Sequence, residues 1–588
     1  MKKSKQKSFG HKLQGEKVSP GIVTGRVFLF GAPSLVVPQY WIHSGQVADQ
    51  TKRFLQAIEA SRTQLEGIKS KLCRIQGRDH ITILDSYSLL LQDELIVRNT
   101  IHTIEKELVN AEWALKNTLQ EVKKTFSKIN HDYIRQRQDD IDYIGNAILR
   151  NLMGTKQELV QRVPAHSIVV ARDISAAETL YLDRFHIAAL VTEGGNPNSH
   201  MAIVARSLAL PTLVDVNGLL NFVSHGDEVI VDGEEGVLII KPSQKQKTAY
   251  QNIRKKVLDR RRQFLLDVRK ESITQDHHEM EVWANMEVLD EIPSIVHAGA
   301  TGVGLLRSEF LFMDRDQLPS EAEQEEVYRD VLKKLKGKEV ILRTFDLGAD
   351  KYWPHSEMAQ QNNPALGLRA VRLAMHDKTL FETQLRAMFK AACGFDHLKI
   401  CFPLISSIDE WRKIKTMSGE IRQNLKRQKY SVPKIPFGMM IETPSAVMEV
   451  DLLAHESDFI CVGTNDLIQY TLACDRTNEW VKDLYCAHHP SILRLLQRII
   501  HVAPSNTQIT VCGEIASDPM YLWLLMGLGY TRLSMNPASI PMIKTMIRQS
   551  YLSEAQHLTH KLMESGSLLE AGKILSGTMK SRFPEYFQ

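Results

Sequence analysis

The residues best suited to chemistry lie in the second half of the chain. Arg307, Arg343, Arg369 and Arg476 offer planar forks of N–H donors, which match phosphate and carboxylate groups. Lys351 adds a fifth cation. Glu442 and Asp466 are two hard oxygen ligands. They are too few for a calcium cage but suit Mg²⁺, which keeps waters and takes oxygens from a substrate. Cys512 has no nearby cysteine in sequence, and as a thiol of ordinary pKa near ~8.5 it can donate a proton. Asn285, Asn465 and Glu514 complete the set. Together they describe a site for a small anion carrying both phosphate and carboxylate, served by a metal and an acid.

A second candidate stands far upstream. Residues 188–191 form a short apolar run that reads as a buried strand. Gly194, Gly195, Asn196 and Pro197 follow with turn chemistry, and Asn196 is a residue that tolerates the left-handed region. Ile203, Val204 and Leu208 then share one helical face, and Pro211 stops the helix. Ser199 fits the N-cap, which puts His200 at the helix N-terminus. Free N–H groups and the macrodipole favour an anion there, so the ring of His200 could carry a phosphoryl group.

Positioning these residues takes several kinds of element. Residues 1–12 carry five lysines without an apolar run behind them, and read as a frayed tail, not a signal peptide. Residues 18–30 read as β structure with a Pro20-Gly21 turn. Between 45 and 154 the apolar spacing becomes helical, with stripes at Phe54–Ile68, 81–95, 108–126 and 133–152. Strand-like runs return at 167–171, 188–191, 212–214, 228–231 and 236–241. The simplest account is one α/β domain with a helical unit inserted into it. Residues 250–270 are dense in charge and read as an exposed connecting helix. Eight further strand-like runs follow at 281–286, 302–306, 339–345, 398–404, 436–441, 459–463, 508–512 and 532–535, separated by helical patterns. Eight β/α units predict a (β/α)8 barrel. Six of those eight strands end in the polar residues named first, on the face where barrel enzymes hold their chemistry.

Bulk properties exclude other classes. A net charge of +4 on 588 residues argues against a nucleic-acid binder. No apolar run reaches membrane-spanning length. Seven cysteines without CxxC spacing fit neither a disulfide framework nor a zinc site, and predict a reducing, cytoplasmic setting.

The motifs occur in a familiar order. They include Ser199-His200-x-Ala202-Ile203-x-Ala205-Arg206, Gly304-Leu305-Leu306-Arg307-Ser308-Glu309-Phe310 and Arg343-Thr344-Phe345-Asp346. Asn363-Pro364-x-x-Gly367-x-Arg369, Glu442-Thr443-Pro444, Gly463-Thr464-Asn465-Asp466 and Cys512-Gly513-Glu514 follow. From about Val18 to Ile547 the chain resembles Enzyme I of the bacterial sugar phosphotransferase system, the phosphoenolpyruvate–protein phosphotransferases. The resemblance implies a phosphohistidine α/β domain (14–44 and 155–243), an inserted helical HPr-binding domain (45–154) and a helical linker (244–275). A phosphoenolpyruvate-binding TIM barrel that also dimerises (276–588) completes it.

It further implies that His200 becomes phosphohistidine, with Thr179 steadying its ring. Arg307, Arg343, Arg476 and Asn465 would hold phosphoenolpyruvate, with Lys351 and Arg369 adding charge. Glu442 and Asp466 would bind Mg²⁺, and Cys512 would protonate the enolate to pyruvate. The acceptor would be the small carrier HPr. The chain departs from the family pattern at Asn196, Ala349 and Thr477. These motivate an alternative, a paralogue that binds a carrier or metabolite without turnover; the presence of His200, Glu442, Asp466 and Cys512 together argues for the enzyme.

Overall fold

The computed structural model describes residues 10–587 apart from 31–36, 73–93, 127–143, 155–162, 175–177, 180–181, 183–185, 198, 209, 313–317, 349–362, 477, 479 and 482–483. The chain divides into two compact units, Met1–Asp259 and Arg260–Gln588.

Unit one holds a mixed sheet of eight strands. They are β1 (His11–Gln14), β2 (Glu16–Ser19), β3 (Ile22–Leu29), β4 (Ile168–Ala171), β5 (Ala189–Thr192), β6 (Thr212–Val214), β7 (Glu228–Asp232) and β8 (Val237–Ile240). The spatial order is β1-β8-β7-β3-β4-β5-β6-β2. The inner strands β3 to β6 are parallel and buried on both faces: Ile168 and Val170 join one core, Val169 and Ala171 the other. Continuous apolar runs are what such strands require. The frayed tail expected over 1–12 is corrected from His11 onward. His11–Gln14 pairs antiparallel with β8, and Leu13 packs on the sheet core.

Strands β3 and β4 are parallel neighbours although residues 30–167 separate them. A parallel pair needs a crossover, and here helices fill it: Val47–Leu72, Glu94–Glu107, Ala111–Phe126 and 144–152. Phe54, Ile104, Leu115 and Ile148 form their common core. The stripe expected at 81–95 falls largely outside the described residues. The helix Glu94–Glu107 escaped the periodicity because a buried Thr100 sits between Ile96 and Ile104. Leu108, read with the third stripe, instead lies between two helices at φ 51°. Asn110 sets that break: its Oδ1 accepts from Tyr40 N (3.1 Å) and its backbone carbonyl accepts from Ala114 N (3.0 Å).

Unit two is a closed, all-parallel barrel of β9 (Glu281–Met286), β10 (Val303–Leu306), β11 (Val340–Arg343), β12 (Leu398–Phe402), β13 (Phe437–Ile441), β14 (Phe459–Val462), β15 (Gln508–Val511) and β16 (Arg532–Met535). This is the (β/α)8 fold, and no strand end departs from the expected position by more than two residues. The trimmed ends are the residues that leave the ladder to build loops. Strand alternation aims the site. Leu305, Ile341, Met440 and Cys461 line the barrel interior. Residues two further along share their face, which places Arg307, Arg343, Glu442 and Gly463 around the barrel axis at the C-terminal end. The helix Gln244–Leu266 precedes the barrel. Residues beyond it are already fixed to the barrel, since Gln275 N donates to Ser550 O (2.9 Å) and Asp276 accepts from Leu552 N (2.9 Å).

Candidate active site

The barrel's C-terminal end brings three carboxylates and two arginines together. Ligand oxygens of Asp346, Glu442 and Asp466 all lie within 4.8 Å of one another. Arg343 reaches Glu309 at 2.9 Å and Asp346 at 3.2 Å. Arg369 pairs with Asp346 at 2.8 Å and Asp466 at 3.4 Å, and donates to Tyr470 Oη at 3.1 Å. Tyr470 in turn donates to Ala365 O at 2.6 Å, which ties Arg369 to the 363–367 loop. Glu442 is buried, and its Oε1 accepts from Leu404 N at 2.5 Å. Gly463 makes that position possible, because a Cβ there would stand 2.5 Å from Glu442 Oε2.

The electrostatics follow from this packing. Burial works against the charge of Asp346, but Arg343 and Arg369 overcome it and hold the carboxyl below its usual range. Burial, followed by the charges of Asp466 and Asp346, pushes the Glu442 carboxyl well up. Crowded carboxylates at one barrel mouth suit a hard cation with oxygen ligands, and the donor set fits Mg²⁺.

Arg476, Asn465 and Glu514 make a second group. Glu514 Oε1 accepts from Asn465 Nδ2 at 2.9 Å and from Arg476 Nη1 at 3.3 Å. Glu514 N donates back to Asn465 Oδ1 at 3.0 Å. Gly513 is a steric requirement, since a Cβ would fall 1.6 Å from Thr464 Oγ1. Arg307 pairs with Glu287, and its charge also acts on Asp346. Asn285 supports the backbone, donating to Cys512 O at 3.0 Å and accepting from Ser534 Oγ at 2.7 Å.

Cys512 is buried, and its Sγ donates to Gly304 O at 3.5 Å. It shares the barrel interior with Cys461 and Cys401. The Cys461 side chain and then burial push the Cys512 thiol well above its ordinary value. The ordinary thiol value near ~8.5 expected from the sequence is thereby corrected upward, and the group stays a protonated acid across neutral pH.

In unit one, Ser199 caps the helix His200–Ser207: its Oγ accepts from Ala202 N at 3.3 Å. His200 is the first residue of that helix. Met201, Ala202 and Ala205 pack on the sheet core, whereas Val204 joins the core of the helical insert. The left-handed residue of the preceding turn is Gly195, at φ 105°; Asn196 has no positive φ and instead accepts from Ser199 N at 3.0 Å. Thr179 is fully buried. Lys351, Ala349 and Thr477 lie outside the described residues.

Sequence reasoning missed three contributors. Asp346 lies three residues past Arg343, as close to a strand end as the other candidates, and that position is its signal in the sequence. Glu309 and Tyr470 gave no local signal, because each acts through an arginine far away in sequence.

Three family descriptions match the chain. "PEP-utilising enzyme, PEP-binding domain" covers residues 262–552, "PEP-utilising enzyme, N-terminal" covers 14–137, and "PEP-utilising enzyme, mobile domain" covers 163–236. A phosphoenolpyruvate-protein phosphotransferase of Bacillus subtilis (strain 168) is 34% identical over 570 residues, spanning 97% of this chain and 100% of that protein. One from Staphylococcus carnosus (strain TM300) is 34% identical over 574 residues, spanning 97% and 99%. One from Listeria monocytogenes is 34% identical over 565 residues, spanning 96% and 98%.

Proposed function

The chain belongs to the phosphoenolpyruvate-protein phosphotransferase family, and on that premise we propose how its own residues carry the phosphoryl group from phosphoenolpyruvate to a carrier protein. The observation that supports the reading is the barrel mouth, where Arg343 and Arg369 interleave with Asp346, Glu442 and Asp466. Such a site sets guanidinium donors beside a cluster of hard oxygen ligands, a combination that orients a small, highly charged anion together with a divalent cation, which is most of what phosphoryl transfer needs.

In this reading Arg307, Arg343, Arg476 and Asn465 grip phosphoenolpyruvate, and Arg369 and Lys351 add charge. Glu442 and Asp466, with Asp346 beside them, hold Mg²⁺, which when bound neutralises phosphate and carboxylate oxygens. An unprotonated ring nitrogen of His200 attacks phosphorus as the bond to the enol oxygen breaks. The leaving enolate takes the Cys512 thiol proton at carbon and becomes pyruvate; solvent then reprotonates the thiolate. Thr179 steadies the His200 ring, and Ser199 fixes the helix that carries it. Phosphohistidine then passes its phosphoryl group to a histidine of HPr, docked on the helical insert. The finer setting follows the family: a cytoplasmic homodimer joined through the barrel, at the first step of sugar transport. The domain limits proposed are 14–44 with 155–243, 45–154, 244–275 and 276–588.

The test is incubation with radiolabelled phosphoenolpyruvate and Mg²⁺, with and without HPr. Acid-labile label on the chain that moves to HPr, and is missing in His200→Ala, is the expected result. A chain that takes no label under any condition overturns the reading.

A further inference from the structure

Gln384 sits on the helix Lys378–Ala391 and has no exposed surface. Its Oε1 accepts from Phe345 N at 3.0 Å. Its Nε2 donates to Ser308 Oγ at 3.0 Å and to Tyr328 Oη at 3.2 Å. Tyr328 Oη donates onward to Gln324 Oε1 at 3.3 Å, and Gln324 Nε2 donates to Pro319 O at 3.0 Å. Gln384, Ser308 and Gln324 are 0% exposed, and Tyr328 and Phe345 are 1% exposed.

The two ends of this network matter. Ser308 directly follows Arg307, and Phe345 lies two residues past Arg343. Both segments have just left their strands, so the N–H of Phe345 is not bonded in the ladder. One amide side chain therefore bridges the segments that carry two of the phosphate-gripping arginines. A methionine or leucine would fill the same volume without burying a polar group, and burying one is unfavourable unless every partner is satisfied. The polar choice buys a fixed geometry between neighbouring strand ends. Arg343 is further held from the same side, because Glu309 Oε1 accepts from both Arg343 Nη2 at 2.9 Å and Asp346 N at 2.8 Å.

We propose that Gln384 is a positioning residue that sets the separation of the Arg307 and Arg343 guanidinium groups and thereby the affinity for the phosphate of phosphoenolpyruvate. This rests on the reading of those arginines given above. Small displacements of aligned binding groups are costly to function.

The experiment measures phosphoenolpyruvate saturation of His200 phosphorylation in the full chain, beside thermal unfolding. Gln384→Met should raise KM by about tenfold with kcat changed much less. Ser308→Ala, a smaller lesion, should raise KM by about threefold, and the double variant should be no worse than Gln384→Met alone. Gln324→Leu breaks the far end of the same network; it should lower the melting temperature while leaving KM within about twofold. Arg343→Ala tests the premise separately, since it must weaken saturation for the arginine reading to stand. If Arg343→Ala weakens binding but Gln384→Met and Ser308→Ala leave KM unchanged, the Gln384 proposal fails. It fails equally if KM follows melting temperature alike in Gln384→Met and Gln324→Leu.

Discussion

At the residue scale, each candidate phosphate-binding arginine among the described residues already faces a carboxylate: Arg307 meets Glu287, Arg343 meets Glu309, Arg369 meets Asp346 and Arg476 meets Glu514. The pairs are not equivalent. Glu309 and Asp346 are nearly enclosed, with side chains 13% and 5% exposed, and they fix geometry. Glu514 is 74% exposed, so its attraction to Arg476 is screened and weak. In the reading proposed above, it nevertheless places a negative charge beside a trianionic substrate. Glu514→Gln keeps an acceptor for Asn465 and Arg476 but removes that charge. KM for phosphoenolpyruvate should fall by about two- to fivefold, measured by saturation of pyruvate release. A KM that rises would show that the full carboxylate is needed to orient Asn465.

At the element scale, short helices present the chemistry and their ends decide how well. The His200 helix has eight residues, and its cap is the Ser199 hydroxyl on Ala202 N. Ser199→Ala should destabilise unit one by about 1 kcal/mol in thermal or denaturant unfolding, with Ser199→Asp restoring most of it. At the opposite end of the barrel from the candidate site, Lys544 on the helix Ile540–Gln549 donates to Val268 O and, at 3.1 Å, to Gly299 O. Burial, then the charges of Arg548 and Lys338, pushes its ammonium down from 10.5 to about 8. The unfolded chain therefore binds the extra proton between those values, and the contribution of Lys544 to stability rises with pH across that window. The stability gap between the parent chain and Lys544→Met should widen in the parent's favour from about pH 8 to pH 10.5. A gap independent of pH would place the Lys544 proton equally in both states.

At the scale of the whole molecule, the proposed acceptor and the candidate anion site belong to different compact units: His200 to the first, the barrel mouth to the second. The reaction proposed above then requires the first unit to visit both the barrel and HPr, a hinge motion carried by the segment between them. The helix Gln244–Leu266 is the element at that boundary, and its residues 251–256 are exposed. Ile253→Pro breaks this helix at an exposed position, a change of about 3 kcal/mol that touches neither core. His200 phosphorylation should slow by at least tenfold, while the rise in barrel melting temperature on adding phosphoenolpyruvate and Mg²⁺ should persist. Unchanged phosphorylation would remove the linker from the mechanism.

By itself the sequence determined the eight barrel strands, the capped histidine helix and most of the polar residues at the barrel mouth. All three are local properties: strand period and helix capping are written within a few residues, and residues two apart share a face. The short N-terminal strand was not legible, because its partner β8 lies more than 200 residues away. The tertiary structure alone decided which carboxylate meets which arginine, that Asp346 is the third acid beside Glu442 and Asp466, and that Gln384 joins the Arg307 and Arg343 segments. Those pairings exist only after barrel closure sets neighbouring strand ends side by side, and no local pattern encodes that juxtaposition.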